Sequence, residues 1–117
     1  MEAVCKGAKD AGGTTVGIMP GNNVEDANDY IDIAIPTGLG YARNAIVARA
    51  GGAIIAIDGA YGTLSEIGFG LGDGIPIVGL NTWQFIIDGK EDTTIERVDN
   101  PLDAVEKALA YAEARRA

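Results

Sequence analysis

An unbroken apolar run with a glycine-rich turn behind it is the feature that most restricts how this chain can fold. Residues 53–57 read Ala-Ile-Ile-Ala-Ile, and the turn follows after a single aspartate. A strand without polar alternation is typical of a parallel sheet that is covered on both faces. We therefore predict that residues 53–57 form an interior strand and that the turn leads into a helix over residues 63–72.

Helix-like and strand-like apolar patterns alternate along the rest of the chain. Helices are predicted at 2–11, 40–50, 63–72, 83–87 and from 101 onward, and strands at 15–19, 31–35, 53–57, 75–80 and 93–98. This alternation favours βαβ units with helices on both faces of a mostly parallel sheet of four or five strands. We predict one α/β domain over residues 1–117, a Rossmann-like three-layer sandwich that is N-terminally truncated because its first element is a helix.

The last predicted helix has the clearest signals. Asn100 suits the capping position, and Pro101 suits the first helical position. The helical period places Leu102, Val105, Leu109 and Ala112 on one face, the apolar face expected to pack on the sheet.

Composition excludes several classes of function. The net charge is −8 and the basic residues do not cluster apart from Arg115-Arg116, so nucleic acid and membranes are not expected partners. There is no histidine, and we predict no metal site. The simplest reading of Asp26, Asp29 and Asp32 is a solvated loop, with weak Mg²⁺ binding as the alternative. A lone cysteine and the lack of a signal peptide or a membrane-length apolar run favour the cytoplasm.

The turn behind the apolar run is the first candidate for ligand chemistry. Its residues are Gly59, Ala60, Tyr61, Gly62 and Thr63. Glycines let the backbone turn sharply, and the free N–H groups at the start of the next helix favour an anion, helped by the helix dipole. The alternative is an ordinary strand-to-helix turn in which Thr63 and Glu66 form a capping box. Both hold if the cap also lines a site.

The loop behind the second predicted strand is the other candidate, with Thr37, Gly38 and Arg43 as predicted ligand contacts. Arg43 falls in the first turn of a predicted helix, where a cation opposes the dipole by about 0.3–1 kcal/mol. Arginine also binds phosphate in a bidentate manner, so this position suggests an anionic ligand. The alternatives are a solvated arginine or a salt bridge to Asp32 or Glu66.

Three segments together resemble the LOG ("Lonely Guy") superfamily, whose members were once described as possible lysine decarboxylases. The stretch 59–66 resembles the family signature P-G-G-x-G-T-x-x-E, and Arg43 lies fifteen residues before Asp58, as the family's Arg lies before its Pro. Residues 1–20 resemble the family's first helix and the strand that follows it. The match spans about residues 1–110. It implies that the family's opening strand–helix–strand is absent, whether the chain is a fragment, has a misassigned start or comes from a shortened gene.

Within the superfamily, the sequence Gly-Thr-Leu-Ser-Glu-Ile at 62–67 is most similar to the branch of molybdenum cofactor carrier proteins. The cytokinin-activating branch, which releases a base from a nucleoside monophosphate, has Lys where this chain has Asn44 and Glu where it has Ser65. Asp58 and Ala60 also depart from the Pro and the second Gly of the signature. These departures weigh against the hydrolase interpretation, since Ala60 adds a methyl group where bare backbone could approach phosphate and Asp58 adds a negative charge near the proposed anion.

Three functions are open on these grounds. The first is a binding protein, a carrier or sensor, for molybdenum cofactor or a nucleotide, whose phosphate would lie between the N–H groups of Gly62 and Thr63 and the Arg43 guanidinium. The second is a phosphoribohydrolase in which Glu66 assists departure of the base and Arg43 holds phosphate or ribose. The third is a degenerate dimerisation module. The resemblance favours the first and implies a homo-oligomer, a dimer or higher.

Overall fold

The computed structural model describes residues 1–116. They form an α/β fold with parallel sheets, as the sequence predicts, and they group into two compact units. The first unit comprises residues 1–43, and the second begins at Asn44. Whether residues 1–117 make one domain stays a prediction. No helix within the described residues is long and apolar enough to cross a membrane.

The first unit is a helix followed by two parallel strands. Helix α1 covers Glu2–Asp10, β1 covers Val16–Met19, and β2 covers Ile33–Pro36. Val16 pairs with Ile33 at the start of the ladder. These elements confirm the predicted helix and both predicted strands to within two residues. The predicted second helix begins as a 3-10 turn and becomes α-helical only at Arg43, from which α2 (Arg43–Ala50) extends.

Asp32 connects α1 to the residue before β1 in the first unit. Its carboxylate accepts hydrogen bonds from the Thr15 N–H at 2.9 Å and from the Lys9 ammonium at 3.0 Å. These donors, Lys9 first, lower the pKa of the Asp32 carboxyl below its usual value. The carboxylate is therefore engaged structurally. No group of three or more metal-ligating side chains comes together anywhere in residues 1–116.

The second unit is built on a three-stranded parallel sheet. Its elements are β3 (Ile54–Ile57), α3 (Tyr61–Asp73), β4 (Ile77–Leu80), β5 (Phe85–Ile87), β6 (Lys90–Asp92), β7 (Glu96–Val98) and α4 (Pro101–Arg116). The strand order is β3-β4-β7. Helices α3 and α4 cover opposite faces, because Ile77 of β4 packs with Ile67 of α3 while its neighbour Val78 packs with Ala104 of α4.

The prediction that residues 53–57 form an interior strand was wrong for this sheet. The central strand is β4, and β3 lies at the edge, with Ile55 37% and Ile57 48% exposed. The two strands are equally apolar. Apolar content indicates burial of the faces, but it carries no information about which strand has partners on both sides.

A predicted helix over residues 83–87 was also wrong. Strand β5 pairs antiparallel with β6, and Phe85 lies opposite Asp92. The turn between them is Asp88-Gly89, with φ of 52° and 78°. Two successive left-handed residues of this type make the tight hairpin turn whose twist matches the strands. The Asp-Gly pair was the signal for it.

Helix α4 starts as predicted but packs through a different face. The Asn100 side chain accepts from the Asp103 N–H at 2.9 Å and so caps the helix. The buried residues are Ala104 and Ala108, whereas the three larger apolar residues predicted to face the sheet are 47–67% exposed: Leu102, Val105 and Leu109. Alanine lets the helix backbone approach the sheet closely, and this fit is invisible to a count of large apolar side chains.

Candidate functional site

Helix α3 begins without a side-chain cap from the residue at its capping position. The helix starts at Tyr61, and its first internal hydrogen bond runs from the Leu64 N–H to the Ala60 carbonyl at 3.1 Å. The N–H groups of Tyr61, Gly62 and Thr63 precede that bond and have no acceptor within the helix. Ala60 occupies the capping position and forms no side-chain cap within the described chain. A helix start of this kind favours an anion.

The alternative of a capping box formed by Thr63 and Glu66 is therefore wrong. Thr63 is the third residue of α3 and not its cap. Sequence favoured Thr63 because threonine is a preferred capping residue, but the helix begins two residues earlier. Glu66 consequently lies half-buried in the second turn of α3.

Two linked side-chain hydrogen bonds connect α2 to the first turn of α3. The Asn44 Nδ2 donates to the Ser65 Oγ at 3.0 Å, and the Ser65 Oγ donates to the Gly62 carbonyl at 2.7 Å. Asn44 is only 3% exposed. These are two of the positions at which the resemblance implies a difference from the cytokinin-activating branch, and they are in direct contact. The substitutions therefore form one structural feature.

Asp58 has a backbone conformation that proline cannot adopt. Its φ is 60°, whereas the proline ring fixes φ near −65°. Aspartate tolerates the left-handed region better than most residues. Ala60, in contrast, is extended at φ −93° and ψ 179°, so its position does not require glycine. Both departures from the LOG signature are thus compatible with the local backbone.

The hydrogen-bond donors of the loop residues Thr37 and Gly38 bond to carbonyl groups of the first unit. The Thr37 N–H and hydroxyl both donate to the Met19 carbonyl, at 3.1 and 2.6 Å. The Gly38 N–H donates to the Gly21 carbonyl at 2.9 Å, and the Gly38 backbone is left-handed at φ 65°. These contacts hold the loop against the end of β1. Ligand contact by either residue stays a prediction.

Arg43 is half-buried at the start of α2. Its Nη1 donates to the Ile18 carbonyl at 3.1 Å, while its Nε is buried with no hydrogen-bond partner in the described residues. The guanidinium is therefore only partly solvated. The Asp32 alternative fails, because that carboxylate is bonded to Lys9 and Thr15.

Sequence reasoning missed residues at the end of β4. Asn81, Thr82 and Trp83 follow this strand, and the Thr82 hydroxyl donates to the Asp58 carbonyl behind β3. The two loops therefore meet at the carboxyl edge of the sheet, where parallel α/β sheets bind their ligands. That rule could have found them, had Trp83 not been assigned to a helix.

Comparison with known proteins places this architecture in a family. The model of the SLOG cluster4 family matches residues 1–108. This chain belongs to the SLOG cluster4 family. The match agrees with the LOG resemblance on which the sequence-based expectation was built.

Solved structures share the fold of this SLOG cluster4 protein. The molybdenum cofactor binding protein of the phototrophic bacterium Rippkaea orientalis is 31% identical with a TM-score of 0.81, over 94% of this chain and 69% of that one. The molybdenum cofactor carrier protein of Chlamydomonas reinhardtii is 32% identical with a TM-score of 0.71, over 91% and 68%.

This SLOG cluster4 protein also has a relative in an archaeon. An uncharacterized protein of Archaeoglobus fulgidus is 44% identical over 80 residues, which is 68% of this chain. The matched part spans 52% of that relative, about half its length.

Proposed function

We propose that this protein binds a phosphate-bearing small molecule, such as molybdenum cofactor or a nucleotide, as a carrier or sensor. The observation that carries the proposal is the start of α3, where Ala60 supplies no side-chain cap and the N–H groups of Tyr61, Gly62 and Thr63 follow the Asp58-Gly59-Ala60 turn. A phosphate oxygen is a suitable acceptor for these donors, and the helix dipole adds to the attraction.

Two relatives support the nature of the ligand. The Rippkaea protein is a molybdenum cofactor binding protein, and the Chlamydomonas protein is a carrier of the same cofactor. Both superpose on more than nine-tenths of this chain. The contributions of Arg43, Thr37 and Gly38, the cytoplasmic location and the homo-oligomeric state remain predictions within this proposal.

The hydrolase alternative is less well supported by the contacts at α3. In the enzymatic branch, the positions of Asn44 and Ser65 carry a lysine and a glutamate, by the resemblance described above. Here they form a neutral hydrogen bond of 3.0 Å, and Asn44 is buried. Neither the amide nor the hydroxyl titrates near neutral pH. That pair cannot supply general acid or base chemistry.

The proposal is tested by giving α3 an anionic cap of its own. Ala60 has the extended backbone that capping residues adopt. Ala60→Asp should therefore raise the free energy of unfolding by about 0.5–2 kcal/mol. The same carboxylate should compete with phosphate, so calorimetric titration with AMP should show an affinity at least roughly tenfold weaker, about 1.4 kcal/mol.

The matched control is Ala60→Asn, which caps the helix without adding charge and should weaken AMP binding less. Arg43→Ala should cost about 1.5–3 kcal/mol of binding free energy if its guanidinium contacts the phosphate. Wild-type affinity in Ala60→Asp would place the phosphate elsewhere. Release of adenine from AMP by the wild type, abolished in Glu66→Gln, would establish the hydrolase instead.

A further inference from the structure

A cleft lies at the carboxyl ends of β3 and β4, and it shares Gly59 with the turn predicted from sequence. Its volume is about 250 Å³, and it is lined by Asp58, Gly59, Asn81, Thr82 and Trp83. Pockets for drug-sized ligands hold roughly 300–1,000 Å³. The cleft is shallow and open to solvent, so it suits one flat ring system laid against a wall, with the remainder of a larger ligand outside.

Trp83 forms a fixed wall of this cleft. Its Nε1 donates to the Ala60 carbonyl at 3.3 Å, and its own carbonyl accepts from the Arg97 guanidinium. Gly59 permits this position, since a Cβ there would lie 2.7 Å from the Trp83 Nε1. The Tyr61 ring centre is 6.1 Å from that of Trp83, and Tyr61 is 81% exposed. A fixed indole beside an exposed phenol is a stacking surface for a planar ring.

Three of the other residues that line the cleft are polar. Asp58 offers a carboxylate, which only accepts hydrogen bonds and can accept two side by side. Asn81 and Thr82 add an amide and a hydroxyl. A pair of adjacent N–H donors on one ring edge matches a carboxylate. The 2-amino-4-oxopyrimidine ring of guanine and pterins presents such a pair, and adenine does not.

We propose that this cleft takes a 2-amino-4-oxopyrimidine ring, which stacks on Trp83 and directs its two donors to Asp58. This inference rests on the proposed ligand-binding function and specifies the ring of its ligand. It also gives a role to Asp58, which replaces the Pro of the LOG signature and adopts a conformation closed to proline.

The test uses four probes: GMP, AMP, guanosine and ribose 5-phosphate. Trp83 is the only tryptophan in the chain, so its fluorescence reports ring stacking directly, and calorimetry supplies the affinity. We expect GMP to bind roughly tenfold more tightly than AMP, the size of one hydrogen bond to a charged group. GMP should quench Trp83 and ribose 5-phosphate should not.

Asp58→Asn should remove the preference for GMP, because the carboxylate acceptor is lost. It should change the affinities for AMP and ribose 5-phosphate by one common factor, because the lost charge acts on the phosphate of both in the same way. Asparagine also tolerates the left-handed backbone. The matched control is Asp88→Asn, an exposed aspartate with φ of 52° in the β5–β6 turn, which should change nothing. Trp83→Leu should weaken GMP and AMP together.

Equal affinity for GMP and AMP in the wild type would overturn the inference, as would equal losses for both in Asp58→Asn. If ribose 5-phosphate binds as tightly as GMP, the phosphate site stands and the ring site does not. If guanosine binds in an Asp58-dependent manner while ribose 5-phosphate does not bind, the ring site stands and the phosphate site does not. Failure of all four probes to bind would overturn both proposals.

Discussion

The hydrogen-bonded pair of Asn44 and Ser65 should be energetically coupled. Ser65→Ala removes the acceptor of the Asn44 amide, which is 3% exposed. An unsatisfied buried donor costs about 1–3 kcal/mol. Asn44→Ala removes the donor and leaves Ser65 its second bond, to the Gly62 carbonyl, so it should cost a similar amount through lost bonding and packing. The double variant leaves no buried amide without an acceptor. Its loss in free energy of unfolding should therefore be smaller than the sum of the two single losses, by about 0.5–1.5 kcal/mol.

Urea unfolding followed by Trp83 fluorescence measures these changes in the unit that contains all three residues. In a chain of this length, each kcal/mol also corresponds to a change in Tm on the order of 4 °C. Thr93→Ala is the control, because it removes an exposed hydroxyl of the same unit and should stay within about 0.5 kcal/mol of the wild type. Additive single-variant effects would refute the reasoning, since they would mean that the pair is not one contact.

Two further predictions concern the second unit. The Glu96 carboxylate accepts hydrogen bonds from Lys107 and Tyr111, and these bonds, Lys107 first, lower its pKa. The bonds stabilise the folded state at a pH above the unfolded pKa near 4.5. This stabilisation is lost as the pH falls through the lower pKa of the folded state. Glu96→Gln should thus be less stable than the wild type at pH 7 and indistinguishable from it in strong acid, and a constant difference across a pH series of denaturation curves would contradict this. Gly72→Ala, whose new Cβ would have nothing within 4 Å, should stabilise α3 by about 0.5–1 kcal/mol. Gly70→Ala should be about 1 kcal/mol less stable than Gly72→Ala, because its new Cβ would lie 2.6 Å from the Ile54 Cδ1 and 2.9 Å from the Ile77 Cδ1, and both side chains must shift. Equal thermal shifts in the two variants would mean that α3 does not pack on β3 as described.

The sequence by itself determined the fold class and the principal elements. Apolar periodicity and glycine punctuation located helix α1, strands β1 to β4 and the capped start of α4, since these signals arise within a few residues of the chain. The LOG-like signature also identified the family. The stretch 59–66 and its distance from Arg43 along the chain match the family pattern even though Asp58 and Ala60 differ from it. All of this information is local or is carried by a pattern of fixed spacing.

Only the tertiary structure decided which strands have two neighbours, which face of α4 is buried and where α3 begins. Strand β4 is central because β3 and β7 both pair with it, and the Ala104 face of α4 packs because small side chains allow close approach. Likewise, the Asn44–Ser65 bond joins residues 21 positions apart, and Trp83 meets the Asp58 turn only because β3 and β4 end at the same edge. These contacts depend on partners distant in the sequence, and no local pattern encodes such distances.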